Sequence, residues 1–236
     1  MKASSLFKSS LVALATFGFG SSAIAQSVPW AITLNQLGSV EQTDDPEFTE
    51  NDEIYLIVTK TYSNLYTSTE VFPSNREISI SEGAVQTHNT VIASGDLPPF
   101  EPLVVTVSMM ENDESDIGAL LASVGGAVQT AASSACAFIP AACVTAQAAQ
   151  VGKEIGTAIQ RIANDRGNQF LGSYTVQLQN VGAGLANSWL PGVGLSALWG
   201  DMLFFPNAVH AGWRFNDDSR GSYWATFNMQ IGAPHF

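Results

Sequence analysis

The chain has 236 residues, 46% hydrophobic and only 13% charged, with 9 Lys and Arg against 21 Asp and Glu, for a formal charge of −12. That balance argues against binding nucleic acid through phosphate neutralisation, which needs clustered Lys and Arg. It also argues against unassisted attraction to anionic lipid, and it suits cation binding or plain solubility in salt.

The first 25 residues read as a signal peptide. Lys2 and Lys8 give a basic start, Leu11 to Phe19 a short apolar centre, and Ala23-Ile24-Ala25 a small-x-small cleavage site. The apolar part is too short to span a bilayer comfortably. Export with cleavage before Gln26 is expected, ending in the periplasm or outside the cell. Residues 26–236 then form one domain, and loss of two lysines brings the formal charge from −12 to about −14.

Trp30 to Leu37 opens that domain with a strand-like pattern. Seven of the 21 acids follow between Glu41 and Glu53, and no Lys or Arg occurs from Gln26 to Thr59. Acids this crowded repel one another unless a cation or solvent screens them. Glu53 to Thr59 is β-branched and aromatic, the composition of a buried strand. Glu77 to Ser81 and Val91 to Ala93 are shorter strand candidates. Pro98, Pro99 and Pro102 mark a loop, because proline supplies no ladder donor. Leu103 to Met110 is the strongest predicted strand and runs into a second acidic cluster at Glu111 to Asp116.

Between Asp116 and Lys153 lie 36 residues without a charge, 12 of them alanine. Ile117, Leu120, Leu121, Val124 and Val128 recur at helical spacing, as do Val144, Ala148, Val151, Ile155, Ile159 and Ile162. Pro140 separates the two sets. The pattern predicts an antiparallel helical hairpin over 114–167, with arms of about 18 residues. In an exported chain the nearby pair Cys136 and Cys143 reads as a disulfide stapling its tip, with two free thiols as the other reading. The hairpin has three readings: cover packed on the domain or on another copy, a membrane-directed element using the small pair Gly152 and Gly156, or a partner-binding arm. Neither arm has 18 continuous apolar residues, which counts against full insertion.

Gly172 to Leu178 alternates as a half-buried strand does. Ala211 to Asn216 and Ser222 to Gln230 flank a polar turn and read as a terminal hairpin. Short strands parted by turn signals predict a mainly β fold, an antiparallel sandwich with the helical hairpin inserted.

The strand ending Met109-Met110, the acids Glu111-Asn112-Asp113 after it, and the closing Asn168-Gln169-Phe170-Leu171-Gly172 resemble the third calcium loop of the C2 domain family. Asn51-Asp52-Glu53-Ile54-Tyr55-Leu56 is similar to the end of that family's first calcium loop. The resemblance covers about 120 residues outside the insertion. It implies an eight-stranded antiparallel sandwich that binds calcium and phospholipid through loops at one end, with the hairpin grafted into the third loop. Calcium takes six to eight oxygen ligands. Asp45, Asp52, Glu111, Asp113 and Asp165, with an oxygen from Asn168, are the implied donors. Gln169 stands where the family has an acid, and Asp165 or Asp116 would have to replace that charge. The plainer reading of the same acids is a solvated, solubilising rim.

Little points to catalysis. His88, His210 and His235 lie in unrelated segments, and neither a Gly-x-Ser-x-Gly elbow nor a His-Glu-x-x-His motif occurs. Trp189, Trp199, Trp213 and Trp224 fit core positions of the late strands, or the lining of a sugar site in a carbohydrate-active enzyme. The expected function is non-enzymatic: a calcium-binding module whose acidic loops and hairpin dock on a membrane or protein surface. A toxin or pore-forming component inserting the hairpin into a bilayer is the alternative from another class.

Overall fold

The computed structural model describes residues 26–41, 52–74, 77–111, 117–135, 147–166, 168–181, 185–191, 195–198, 204–205, 208–217 and 221–231, with the backbone alone at 40–41, 52, 117, 185–191, 195–198, 204–205, 208–217, 221–222 and 231. Its strands are β1 (Val28–Glu41), β2 (Asp52–Tyr62), β3 (Thr67–Phe72), β4 (Ile78–Ile80), β5 (Val85–Leu97), β6 (Pro102–Glu111), β7 (Gln169–Asn180), β8 (Leu185–Pro191), β9 (Leu195–Leu198), β10 (Phe204–Phe205), β11 (Ala208–Asp217) and β12 (Gly221–Ile231). Among the described residues, two helices, α1 (Ile117–Ala135) and α2 (Ala148–Asn164), lie between β6 and β7.

The strands form two antiparallel six-stranded sheets. One runs β10-β11-β12-β1-β5, with β9 added on β11. The other runs β3-β2-β6-β7-β8, with β4 added on β2. Side chains alternate across each strand, so the two sheets share an inner core. Ile54, Leu56 and Val58 of β2 and Leu103, Val105, Val107 and Met109 of β6 meet Ile32 and Leu34 of β1 and Phe227 and Met229 of β12 there.

The helices add a third layer. Tyr55, Ile57, Val104, Met110 and Phe170, on the other face of the second sheet, pack in one cluster with Leu120, Val124 and Val128 of α1 and Val151, Ile155 and Ile159 of α2. This explains why all ten residues of β6 are buried: a strand covered on both faces loses its alternation of buried and exposed residues. Thr106, Ser108, Ser173 and Thr175, all fully buried, are the small polar residues alternating with these apolar ones on β6 and β7. Thr175 lies directly under α2, at Gly152.

The expected mainly β sandwich with a helical insertion is therefore the fold. The two helical arms span 19 and 17 residues. Their apolar stripes lie against the second sheet, the first of the three arrangements open to them. Gly152 and Gly156 are both buried in α2. Gly152 gives close approach to Thr175 of the sheet, where the sequence pattern also allowed approach to a neighbouring helix in lipid. Pro140, Cys136 and Cys143 lie outside the described residues.

Candidate functional site

The acid-bearing strand ends lie at one end of the sandwich. β1 finishes at Glu41 and β2 begins at Asp52, and the chain around them is tied across the two sheets. Ser39 N–H donates to Ala84 O at 3.0 Å, Ala84 N–H donates to Ser81 O at 3.0 Å, and Ile80 beside Ser81 pairs with Asp52. Glu111 closes β6, in register with Ile54 on β2 and with Gln169 on β7. Asp52 and Glu111 thus sit on neighbouring strands two residues apart.

Glu111 is 5% exposed. Burying a carboxylate is costly unless hydrogen bonds or an opposite charge compensate it. Beside it, the buried Gln169 Oε1 has no hydrogen-bond partner among the described residues, and the same is true of Ser39 Oγ on β1. Asn168 is 2% exposed. Its Oδ1 accepts from the Tyr55 hydroxyl at 3.2 Å, and its N–H donates to Ala163 O at 3.1 Å, which fixes the turn from α2 into β7. Asp165 is exposed at the C-terminus of α2, its N–H on Arg161 O at 3.0 Å. A carboxylate there adds to the negative end of the helix dipole.

Of the residues implied as calcium donors, Glu111, Asp165 and Asn168 are described in full and lie around the junction of β6, α2 and β7. Asp52 joins them through its backbone register. Asp45 and Asp113 lie outside the described residues, in the acid-rich segments 42–51 and 112–116 that follow β1 and β6. Among the described residues no three His, Cys, Asp or Glu side chains form a metal-holding group. In the sequence, Gln169 reads only as a lost charge. Its buried oxygen depends on β7 pairing with β6, which strand composition does not reveal.

The side where edge strands β3 and β5 face each other carries two clefts. One, of about 700 Å³, is lined by residues including Glu70, Glu77, His88 and Ile92. His88 is half-buried there, Nε2 has no hydrogen-bond partner among the described residues, and desolvation holds its pKa below the ordinary value. His210 lies on β11, separated from β5 by β12 and β1, and His235 is outside the described residues. The other cleft, of about 580 Å³, lies toward the end of the sandwich away from the acids and is lined by residues including Lys60, Tyr62, Tyr66 and Glu101.

The class is an antiparallel β-sandwich with two helices covering one of its sheets. No protein-family model matches the chain, and no curated protein matches it. No helix among the described residues is long and apolar enough to cross a membrane.

Proposed function

We propose that this chain is an exported, non-enzymatic, C2-like calcium-binding module, which takes the ion at its acid-bearing end and docks through that end on a membrane or protein surface. The observation that carries the reading is the buried Gln169 Oε1, without a hydrogen-bond partner among the described residues, in register with the buried Glu111. A buried acceptor left without a donor costs about 1–3 kcal/mol. A hard cation compensates such an oxygen, and amide carbonyls are ordinary calcium ligands alongside carboxylates.

Glu111 and Gln169 would hold the ion from the strand ends, with Asp52, Asp165, Asp45 and Asp113 supplying further carboxylates. Calcium would cancel the repulsion among these acids and remove the field that keeps anionic surfaces away. Both helices root at this end, since α1 starts just after the 112–116 segment and α2 ends beside Asn168. Ion binding would therefore stiffen the hairpin's base, while its apolar stripes stay on the second sheet.

Calorimetric titration and thermal melting with calcium test the reading. Heat of binding and a rise in Tm at millimolar calcium are expected, both lost in Glu111→Gln. Absence of heat and of any shift overturns it. Calcium-dependent sedimentation with anionic liposomes supports a membrane as the docking surface, and calcium binding without sedimentation leaves a protein surface.

A further inference from the structure

We infer that the cleft between the β2–β3 turn and the β5–β6 loop is a binding site for a neutral saccharide. Its wall is aromatic: the rings of Tyr62 and Tyr66 stack with centroids 6.0 Å apart and planes at 30°, and Tyr66 is 58% exposed. Its floor carries Lys60, whose Nζ lies 2.9 Å from Oε1 of the exposed Glu70 and also donates to Ser94 O at 3.3 Å. Glu101 and Asn64 add polar groups at the rim.

Charge decides between ligand classes. An anion would meet Glu70 and Glu101, and a cation would meet the Lys60 ammonium on the floor. A neutral polyhydroxylated ring avoids both conflicts, because each hydroxyl can donate to a carboxylate and accept from the ammonium. The apolar face of such a ring fits a flat aromatic platform. An apolar surface with a few fixed polar groups is the usual make-up of a small-ligand site.

Both walls are fixed from outside the cleft, as a preorganised site requires. In the β2–β3 turn, Leu65 stands at φ 64°, an unusual backbone state for a bulky side chain. It is held by Leu65 N–H on Tyr62 O at 2.9 Å and Tyr62 N–H on Tyr66 O at 2.9 Å. Gln129 of α1 then clamps the turn: Nε2 donates to Leu65 O at 2.6 Å, and Oε1 accepts from Thr67 N–H at 3.1 Å and Thr67 Oγ1 at 3.0 Å. In the opposite loop, Phe100 stands at φ 63°. Its N–H donates to Asn180 O at 2.8 Å, and Asn180 N–H donates to Glu101 O at 3.3 Å. Strained residues of this kind persist where the surroundings overdetermine them, and they concentrate at functional sites. Gln129 is thus a positioning residue, through which the helical layer sets the aromatic wall.

The test uses the full mature chain in EDTA, so that its result is independent of any calcium site. Cellohexaose, maltohexaose, mannohexaose and chitohexaose are titrated with the Tyr62 and Tyr66 ring signals followed by NMR, beside choline and trigalacturonate. At least one neutral hexasaccharide is expected to shift those signals. Tyr66→Ala should weaken it at least ten-fold and Glu101→Gln several-fold. Gln129→Ala should weaken it several-fold and move the Tyr66 signals in the free protein, and Gln129→Glu, which keeps the acceptor for Thr67 but sets a carboxylate oxygen against the Leu65 carbonyl, should weaken it at least as much. No shift with any neutral sugar at 10 mM, a preference for choline or trigalacturonate, or binding indifferent to Tyr66→Ala overturns the assignment.

Discussion

Gly152 of α2 lies so close to Thr175 of β7 that a β-carbon on the glycine would overlap the threonine Oγ1, Cβ and Cγ2. All these threonine atoms belong to a fully buried side chain, whose Oγ1 lies 3.4 Å from Thr106 Oγ1. The neighbours therefore have little room to give. Gly152→Ala is expected to destabilise the fold by about 1–3 kcal/mol through overpacking. Gly126, exposed on α1 with open space around it, is the control. Gly126→Ala should stabilise by roughly 0.5–1 kcal/mol from helix propensity. Urea denaturation of both variants measures the contrast. Equal effects would mean that α2 does not rest on β7.

Asn180 ties both sheets together at the end away from the acids. Its Nδ2 donates to Gln26 O and to Leu97 O, each at 2.9 Å. Asn180→Leu removes both bonds and leaves a buried carbonyl at Leu97 without its donor, so a loss of about 2–3 kcal/mol is expected. The same change should raise hydrogen exchange at Phe100, whose N–H rests on the Asn180 carbonyl. An unchanged exchange rate would show that the loop is held by other means.

Tyr174 gives the stability an alkaline limb. It is fully buried against Phe227, with ring centroids 4.8 Å apart, and desolvation holds its phenol well above the ordinary value. The unfolded chain releases this proton near pH 10 while the folded chain keeps it. Its contribution is therefore complete below about pH 10 and is lost as pH rises from there through the folded value. Tyr174→Phe should flatten the fall in stability above pH 10 relative to wild type, as read from denaturant midpoints. Parallel curves for the two proteins would disprove the assignment.

The hydroxyl of Tyr55 on Asn168 Oδ1 joins β2 to the turn that enters β7. Tyr55→Phe keeps the ring in the helix-facing core and removes the bond, so a loss of about 1 kcal/mol is expected. If Asn168 serves the ion site, the variant also loses calcium affinity, because the amide is no longer oriented. A calorimetric titration of the variant separates the structural effect from the ligand effect.

Much of the architecture is legible in the sequence, for reasons the packing explains. The helical arms announce themselves because only one stripe of each is buried, so Leu120, Val124 and Val128 stand out at spacing four. Strand β6 is legible as an apolar run because both its faces are covered. Strand β3 is not legible: Thr67 to Phe72 is a half-exposed edge strand with no buried residue to mark its period. Only Val91 to Ala93 of β5 is evident, since Gln86 to Thr90 form a polar, largely exposed strand edge. At the acid-bearing end the sequence supplies Glu111 and Asn168, while the buried oxygen of Gln169 depends on a cross-strand partner 58 residues away. The cleft beside Tyr66 is illegible for the same reason, because its clamp joins Gln129 to a turn more than 60 residues earlier.

The helical layer makes this insertion unlike a detachable graft. Tyr55, Ile57, Val104, Met110 and Phe170 are core residues only because the helices lie on them. A chain emerging from the N-terminus completes β2 and β6 before either helix exists, and for that interval the outer face of its central strands is greasy and open. Excising residues 114–167 and closing the gap with a short linker would leave that face permanently open. The shortened protein is expected to self-associate more strongly than the parent.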